Sequence, residues 1–228
     1  MLIFVEKVNE RLTYTFDFIF KERDLNYVFT SNESEFERHS EAKFNYSRVN
    51  FSNAPTIAPS NIIFSHDLKN YTLTRSLFSK EECLSINGVC DPVASIFYIL
   101  TRYEEYHSSL KDKHGRHIGK KSVLYRFGWH EKAMCDRWSE DVLNFISAHT
   151  PFLFEKKKYK PQIIPTFDID KAYAYKHKGL IRNLLGYLKD TYSKDKALVK
   201  ERRMVLTGSK KDPFDNYDKI FDIQSRGF

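Results

Sequence analysis

The stretch Gln162-Ile163-Ile164-Pro165-Thr166-Phe167-Asp168-Ile169-Asp170 decides how the second part of this chain is read. Its end alternates: Thr166, Asp168 and Asp170 fall on one side of an extended backbone, Phe167 and Ile169 on the other. Two carboxylates two residues apart on a strand project to the same side, with Cβ atoms roughly 6–7 Å apart. The C-terminal end of a strand is where α/β folds place active sites. Ionising both groups at that separation is costly unless a cation lies between them or one of them keeps its proton. The spacing therefore suits a shared metal or an acid/base pair. It equally suits two solvated aspartates capping the following turn.

Downstream, helical patterns cover about 177–191 and 195–204. Asp212-Pro213 reads as a cap and first-turn pair for a last helix over 213–224. Its stripe is Phe214, Tyr217, Ile220, Phe221 and Ile223. Ser225-Arg226-Gly227 reads as its C-terminal cap. On this reading the chain stops where a next strand is due, and the uncovered stripe predicts self-association.

Upstream, Pro151, the lysines 156–158 and Pro161 make 150–160 a domain boundary, with one module over 1–154 and another over 161–228. Asp91-Pro92 opens a helix through Val93, Ile96, Phe97 and Leu100 that runs to Tyr106, and a second helix spans about 132–148. Leu2–Val5, a helix capped by Asn9, and Tyr27–Thr30 give a β-α-β opening. Residues 31–61 read as mostly loop, and Ile62-Ile63-Phe64 as a short buried strand.

The chain has 228 residues, 41% apolar and 15% aromatic, which is enough for a packed α/β interior. The net charge of +7 is not spread evenly: residues 155–211 hold 16 Lys/Arg against 6 Asp/Glu. That region could face an anionic glycan, a nucleic acid or a membrane surface, or be a set of solvated helix faces. The N-terminus lacks the apolar core of a signal peptide, and no stretch reaches the roughly 20 apolar residues of a membrane span. Cys83, Cys90 and Cys135 lack metal spacing and read as reduced thiols of a cytoplasmic protein. His107, His114 and His117 accompany Gly115 and many charges, and a solvated turn accounts for them. Tyr98, Arg102 and Tyr106 share a helical side, which reads as the arginine packed between the two rings with Glu105 as its ion partner; a sugar or phosphate contact is the alternative. Phosphate loops, nucleophile elbows and zinc-finger spacings are missing, and nucleic acid is an unlikely partner without a recognisable binding motif.

Thr166-Phe167-Asp168-Ile169-Asp170 resembles the first motif of the polysaccharide (NodB-type) deacetylase family. The helix DPVASIFYILTRYEEY from Asp91, the stretch Asp112-Lys113-His114-Gly115-Arg116, and Asp212-Pro213-Phe214-Asp215 resemble a bacterial subgroup of it that carries an N-terminal module. The resemblance implies a mixed α/β N-terminal module followed by the first strand and helices of a distorted (β/α) barrel. It implies hydrolysis of the carbon–nitrogen amide bond of N-acetylated sugars by a metal-bound water, with zinc or a similar divalent metal as cofactor and a carbohydrate as substrate. By the same match Asp168 is the base and Asp170 the metal ligand. Ile169 separates aspartates that are adjacent in the usual motif, so the two roles remain interchangeable. After Asp170 the chain offers only His177 where the family uses two histidines four residues apart, so the site is incomplete and the chain alone is expected to be inactive. The alternative is a non-catalytic module that binds glycan or an anionic polymer through the basic 155–211 region.

Overall fold

The computed structural model describes residues 1–108, 111–152, 154–155, 163–193 and 195–226. The chain is mixed α/β and divides into two compact units, Met1–Lys158 and Tyr159–Phe228.

The first unit is built on β1 (Leu2–Phe4), flanked on both sides by parallel partners, β2 (Val28–Thr30) and β3 (Lys43–Asn45). Alternation along β1 feeds two clusters. Ile3 and Val5 enter the main core, while Leu2 and Phe4 pack with Phe36 and Phe51 on the other face. Helix α1 (Glu10–Phe20) starts where the Asn9 side chain accepts a hydrogen bond from Leu12 N, and it buries Leu12, Phe16, Ile19 and Phe20. The stretch expected to be loop contains α2 (Glu33–Arg38), capped by Asn32, and β3, which pairs with the distant β1.

A second sheet, antiparallel, orders β4 (Leu73–Phe78), β5 (Glu81–Ile86) and β6 (Val89–Cys90). Asn87 and Gly88, both at positive φ, make the two-residue turn between β5 and β6, a geometry that matches the twist of paired strands. Helices α3 (Pro92–Leu100) and α6 (Met134–His149) pack on this sheet and on α1. Trp138 is fully buried, and its ring N–H donates to Glu82 O at 2.6 Å. A short α5 (Val123–Arg126) follows a 3-10 turn at Gly119–Lys121.

Two local expectations are corrected in this unit. The helix from Asp91 does not continue to Tyr106. Arg102 adopts a left-handed backbone (φ 53°) and separates α3 from α4 (Tyr103–His107), which turns Tyr103 into the core. Arg102 pairs with Glu105 at 2.6 Å as expected, but no cation–π contact of Arg102 with Tyr98 or Tyr106 appears among the described residues. Ile62 and Ile63 are buried in a 3-10 turn, Asn61–Ile63, and not in a strand. Their carbonyls accept from Arg11 on α1 and from Asn9, its cap, so a sheet ladder is not needed to satisfy them.

The second unit contains α7 (Leu180–Tyr192), α8 (Lys196–Leu206) and α9 (Tyr217–Ser225). Gly186 lets α8 approach α7, because a Cβ there would lie 2.7 Å from the Arg202 guanidinium. That guanidinium donates twice to Asp190 (2.7 and 3.0 Å) and lies over the Tyr175 ring. The outward side of α7 is strongly apolar: Leu180 is 91% exposed, and Ile181, Leu184, Leu185 and Leu188 are exposed too. Helix α9 starts at Tyr217, later than the Asp212-Pro213 signal suggests, and the Gly227 cap lies outside the described residues. Among the described residues no helix is long and apolar enough to cross a membrane.

The expected strand ending at Asp170 does not form. Residues 163–169 belong to no helix or strand, Ile164 is 77% exposed, and no strand lies elsewhere among the described residues of this unit. A strand is stable only with neighbours to take its N–H and C=O groups, and Pro165 has already removed one donor. No closed barrel is present among the described residues; the two three-stranded sheets both belong to the first unit.

Candidate functional site

Asp168 and Asp170 are both exposed, and among the described residues neither carboxylate is taken up by a hydrogen bond or ion pair. Both line one groove of about 270 Å³ together with Lys171, Phe214, Tyr217 and Ile220. The pairing of the two carboxylates in one groove thus comes from an irregular segment lying along the start of α9, without the strand.

Asp212 holds that arrangement together. It is 2% exposed, and its carboxylate accepts from the backbone N–H groups of Ala174 (2.8 Å), Tyr175 (2.8 Å), Lys176 (3.1 Å) and Phe214 (3.0 Å). Burial alone would push this carboxyl up, but the four N–H donors outweigh it and hold it down to about 2. The sequence signal at Asp212 therefore marks a junction: the residue fastens the loop after Asp170 to the approach of α9. His177 follows in a left-handed backbone conformation (φ 57°). The Tyr173 ring lies 4.8 Å from the His177 ring and 6.0 Å from the Tyr217 ring.

A second cavity, of about 630 Å³, shares Asp170 and Tyr173 with this neighbourhood and adds His177. Lys171, Lys176, Lys178, Arg182 and Arg202 also line it. Among the described residues, Asp170 and His177 are the one carboxylate and one imidazole that line this cavity. Among the described residues no group of three or more His, Cys, Asp or Glu could hold a metal ion. A catalytic zinc needs three protein ligands, and five cationic side chains around two candidate donors oppose a divalent cation. The residues present do not fit the metal that the resemblance implies.

Elsewhere the histidines behave in two ways. The Lys111–His117 turn is held by Asp112, which accepts from His114 N, Arg116 N and the Arg116 side chain, and His114 is exposed as expected of a solvated turn. By contrast, both ring nitrogens of His117 and Nε2 of His107 are buried with no hydrogen-bond partner among the described residues. Neighbouring strands bring Cys83 and Cys90 together, with sulfur atoms 3.1 Å apart, a contact their seven-residue spacing did not reveal. The Asn87-Gly88 pair between two apolar runs is the signal that predicts this hairpin.

Comparison with curated proteins and with solved structures finds no match. Residues 1–151, well over half of the chain, match the family described as "Family of unknown function (DUF7033)", and the chain belongs to that family.

Proposed function

We propose that the second unit recognises N-acetylated carbohydrate for a deacetylase-type hydrolase acting on the carbon–nitrogen amide bond, the opening of the distorted (β/α) barrel that the motif implies. The observation that carries this reading is the groove in which Asp168 and Asp170, neither engaged by another described residue, face the aromatic residues Phe214 and Tyr217. Aromatic faces suit the C–H faces of a sugar ring, and a few convergent polar groups fix its orientation. In amide hydrolysis a carboxylate takes a proton from the water that attacks the acetyl carbonyl, which is the role assigned to Asp168. Asp170 orients the acetamide group. The chain by itself is expected to bind the sugar without releasing acetate.

Calorimetric titration of the chain with an oligomer of N-acetylhexosamine tests this. Binding should weaken at least about tenfold in Asp170→Asn, a loss of about 1.4 kcal/mol, and change little with salt. Absence of any binding overturns the reading.

A second reading has its own observation: the cluster of Lys171, Lys176, Lys178 and Arg182 around the larger cavity suits an anionic polymer. On that reading a sulfated or uronic-acid polysaccharide binds, affinity falls steeply as salt rises, and the neutral N-acetylated oligomer does not compete.

A further inference from the structure

Cys83 lies on β5 and Cys90 ends β6, the edge strand of the second sheet. Cys90 stands directly opposite Ser85, so Cys83 is its diagonal neighbour on the same face, a position from which long side chains meet. The two sulfur atoms are 3.1 Å apart. A disulfide requires about 2.05 Å, so the sulfurs must close by about 1 Å. A two-residue edge strand can give that distance more readily than a central one. The two thiols differ in access: Cys83 is fully buried, whereas Cys90 is half-buried at the rim.

We propose that Cys83 and Cys90 form a reversible dithiol–disulfide couple, a modification site that reacts with small hydroperoxides through Cys90 and closes through Cys83. The chemistry of the pair favours that order. The hydrogen bond shared with the Cys83 thiol outweighs burial at Cys90 and holds it below its ordinary value, which favours the thiolate there. The same hydrogen bond and burial push Cys83 up, keeping it a thiol until its partner is oxidised. The Cys90 thiolate attacks the terminal peroxide oxygen, the O–O bond breaks, and the alkoxide or hydroxide takes a proton to leave as alcohol or water. Cys83 then attacks the Cys90 sulfenic sulfur. The S–S bond forms, the S–O bond breaks, and the Cys83 proton leaves with the hydroxide as water. Two thiols and one hydroperoxide give one disulfide, one alcohol and one water, and an external dithiol reverses it. The third thiol, Cys135, is buried on α6, where burial pushes it up to about 12, and it takes no part. The cross-link ties the central strand β5 to Cys90, the residue directly before Asp91, which caps α3.

The test treats the folded full chain with equimolar hydrogen peroxide, alkylates the remaining thiols and maps them by mass spectrometry. Two of the three cysteines should escape alkylation in a Cys83–Cys90 linked peptide, in the native chain and equally in Cys135→Ser, with full recovery after dithiothreitol. Cys83→Ser should instead accumulate a sulfenic acid on Cys90 that dimedone traps, and Cys90→Ser should slow peroxide consumption at least about tenfold. All three cysteines alkylated after treatment, or Cys90 carried to a sulfinic acid beside a free Cys83, overturns the proposal.

Discussion

At Asp91 three donors from different parts of the first unit converge on one buried carboxylate: Ala94 N at 3.0 Å, Ser60 N at 2.7 Å and Tyr46 OH at 2.8 Å. Asp91→Ala removes a helix cap and strands two further buried donors, so unfolding in urea at pH 7 should show a loss of about 3 kcal/mol. Burial pushes this carboxyl up to about 6 despite the hydrogen bonds, above its ordinary 3.8. The folded state therefore holds the proton more firmly than the unfolded one. The contribution of Asp91 to stability is full below about pH 4 and declines as pH rises through about 6. Asp91→Asn should flatten the stability profile in that window, measured by denaturation at a series of pH values. Asp168 and Asp170 make the opposite case. Exposed, and without a carboxylate partner among the described residues, they should each tolerate Asn with a stability change within about 0.5 kcal/mol, so a binding loss in these variants reports on the groove and not on folding. The cap at Asp91 is legible in the Asp-Pro pair. Its partners are not, because Ser60 and Tyr46 come from 31 and 45 residues away.

Among the elements, α3 and α6 bury most of their apolar residues, whereas α7 buries only Asp190 and α9 none. Amide hydrogen exchange should therefore be orders of magnitude slower in α3 and α6 than in α7 and α9, and uniform protection would contradict this. In the second unit Asp212 anchors the loop 174–176 to the approach of α9. Asp212→Ala should cost that unit roughly 3 kcal/mol and expose the amides of Ala174, Tyr175 and Lys176 to fast exchange while leaving α3 and α6 unchanged. The elements that were readable carry their own signals: the Asn9 cap and i, i+4 spacing of α1, the Asp-Pro start of α3, the Trp138–Val142–Phe145 spacing of α6. Those misread depend on distant partners. Ile62 and Ile63 find their hydrogen bonds on α1 and its cap, and the stretch ending at Asp170 has an alternating tip but no described strand beside it. The break at Arg102 has no local signal at all, since neither glycine nor proline marks it.

For the whole molecule, the uneven charge noted in the sequence becomes local chemistry in the second unit, where Lys171, Lys176, Lys178 and Arg182 gather around a cavity that Asp170 also lines. The groove beside it was half legible. Two aspartates in period-2 spacing point to a shared site, but the aromatic side of that site comes from Phe214 and Tyr217, more than forty residues later. The site residues lie outside the stretch that shows the family, residues 1–151, so the carbohydrate reading rests on the groove and the motif. With Asp170 and His177 the only carboxylate and imidazole among the described residues lining the larger cavity, added zinc should produce no acetate from an N-acetylated oligomer. Metal-dependent release that Asp168→Ala abolishes would mean that ligands come from residues not recognised as such. The most direct measurement is a backbone amide chemical-shift titration of the isotopically labelled chain with an N-acetylhexosamine oligomer. Shifts should be confined to the backbone around Asp168–His177 and Phe214–Ile220, and be lost in Asp170→Asn. Shifts restricted to the first unit, or none at saturating sugar, would contradict it.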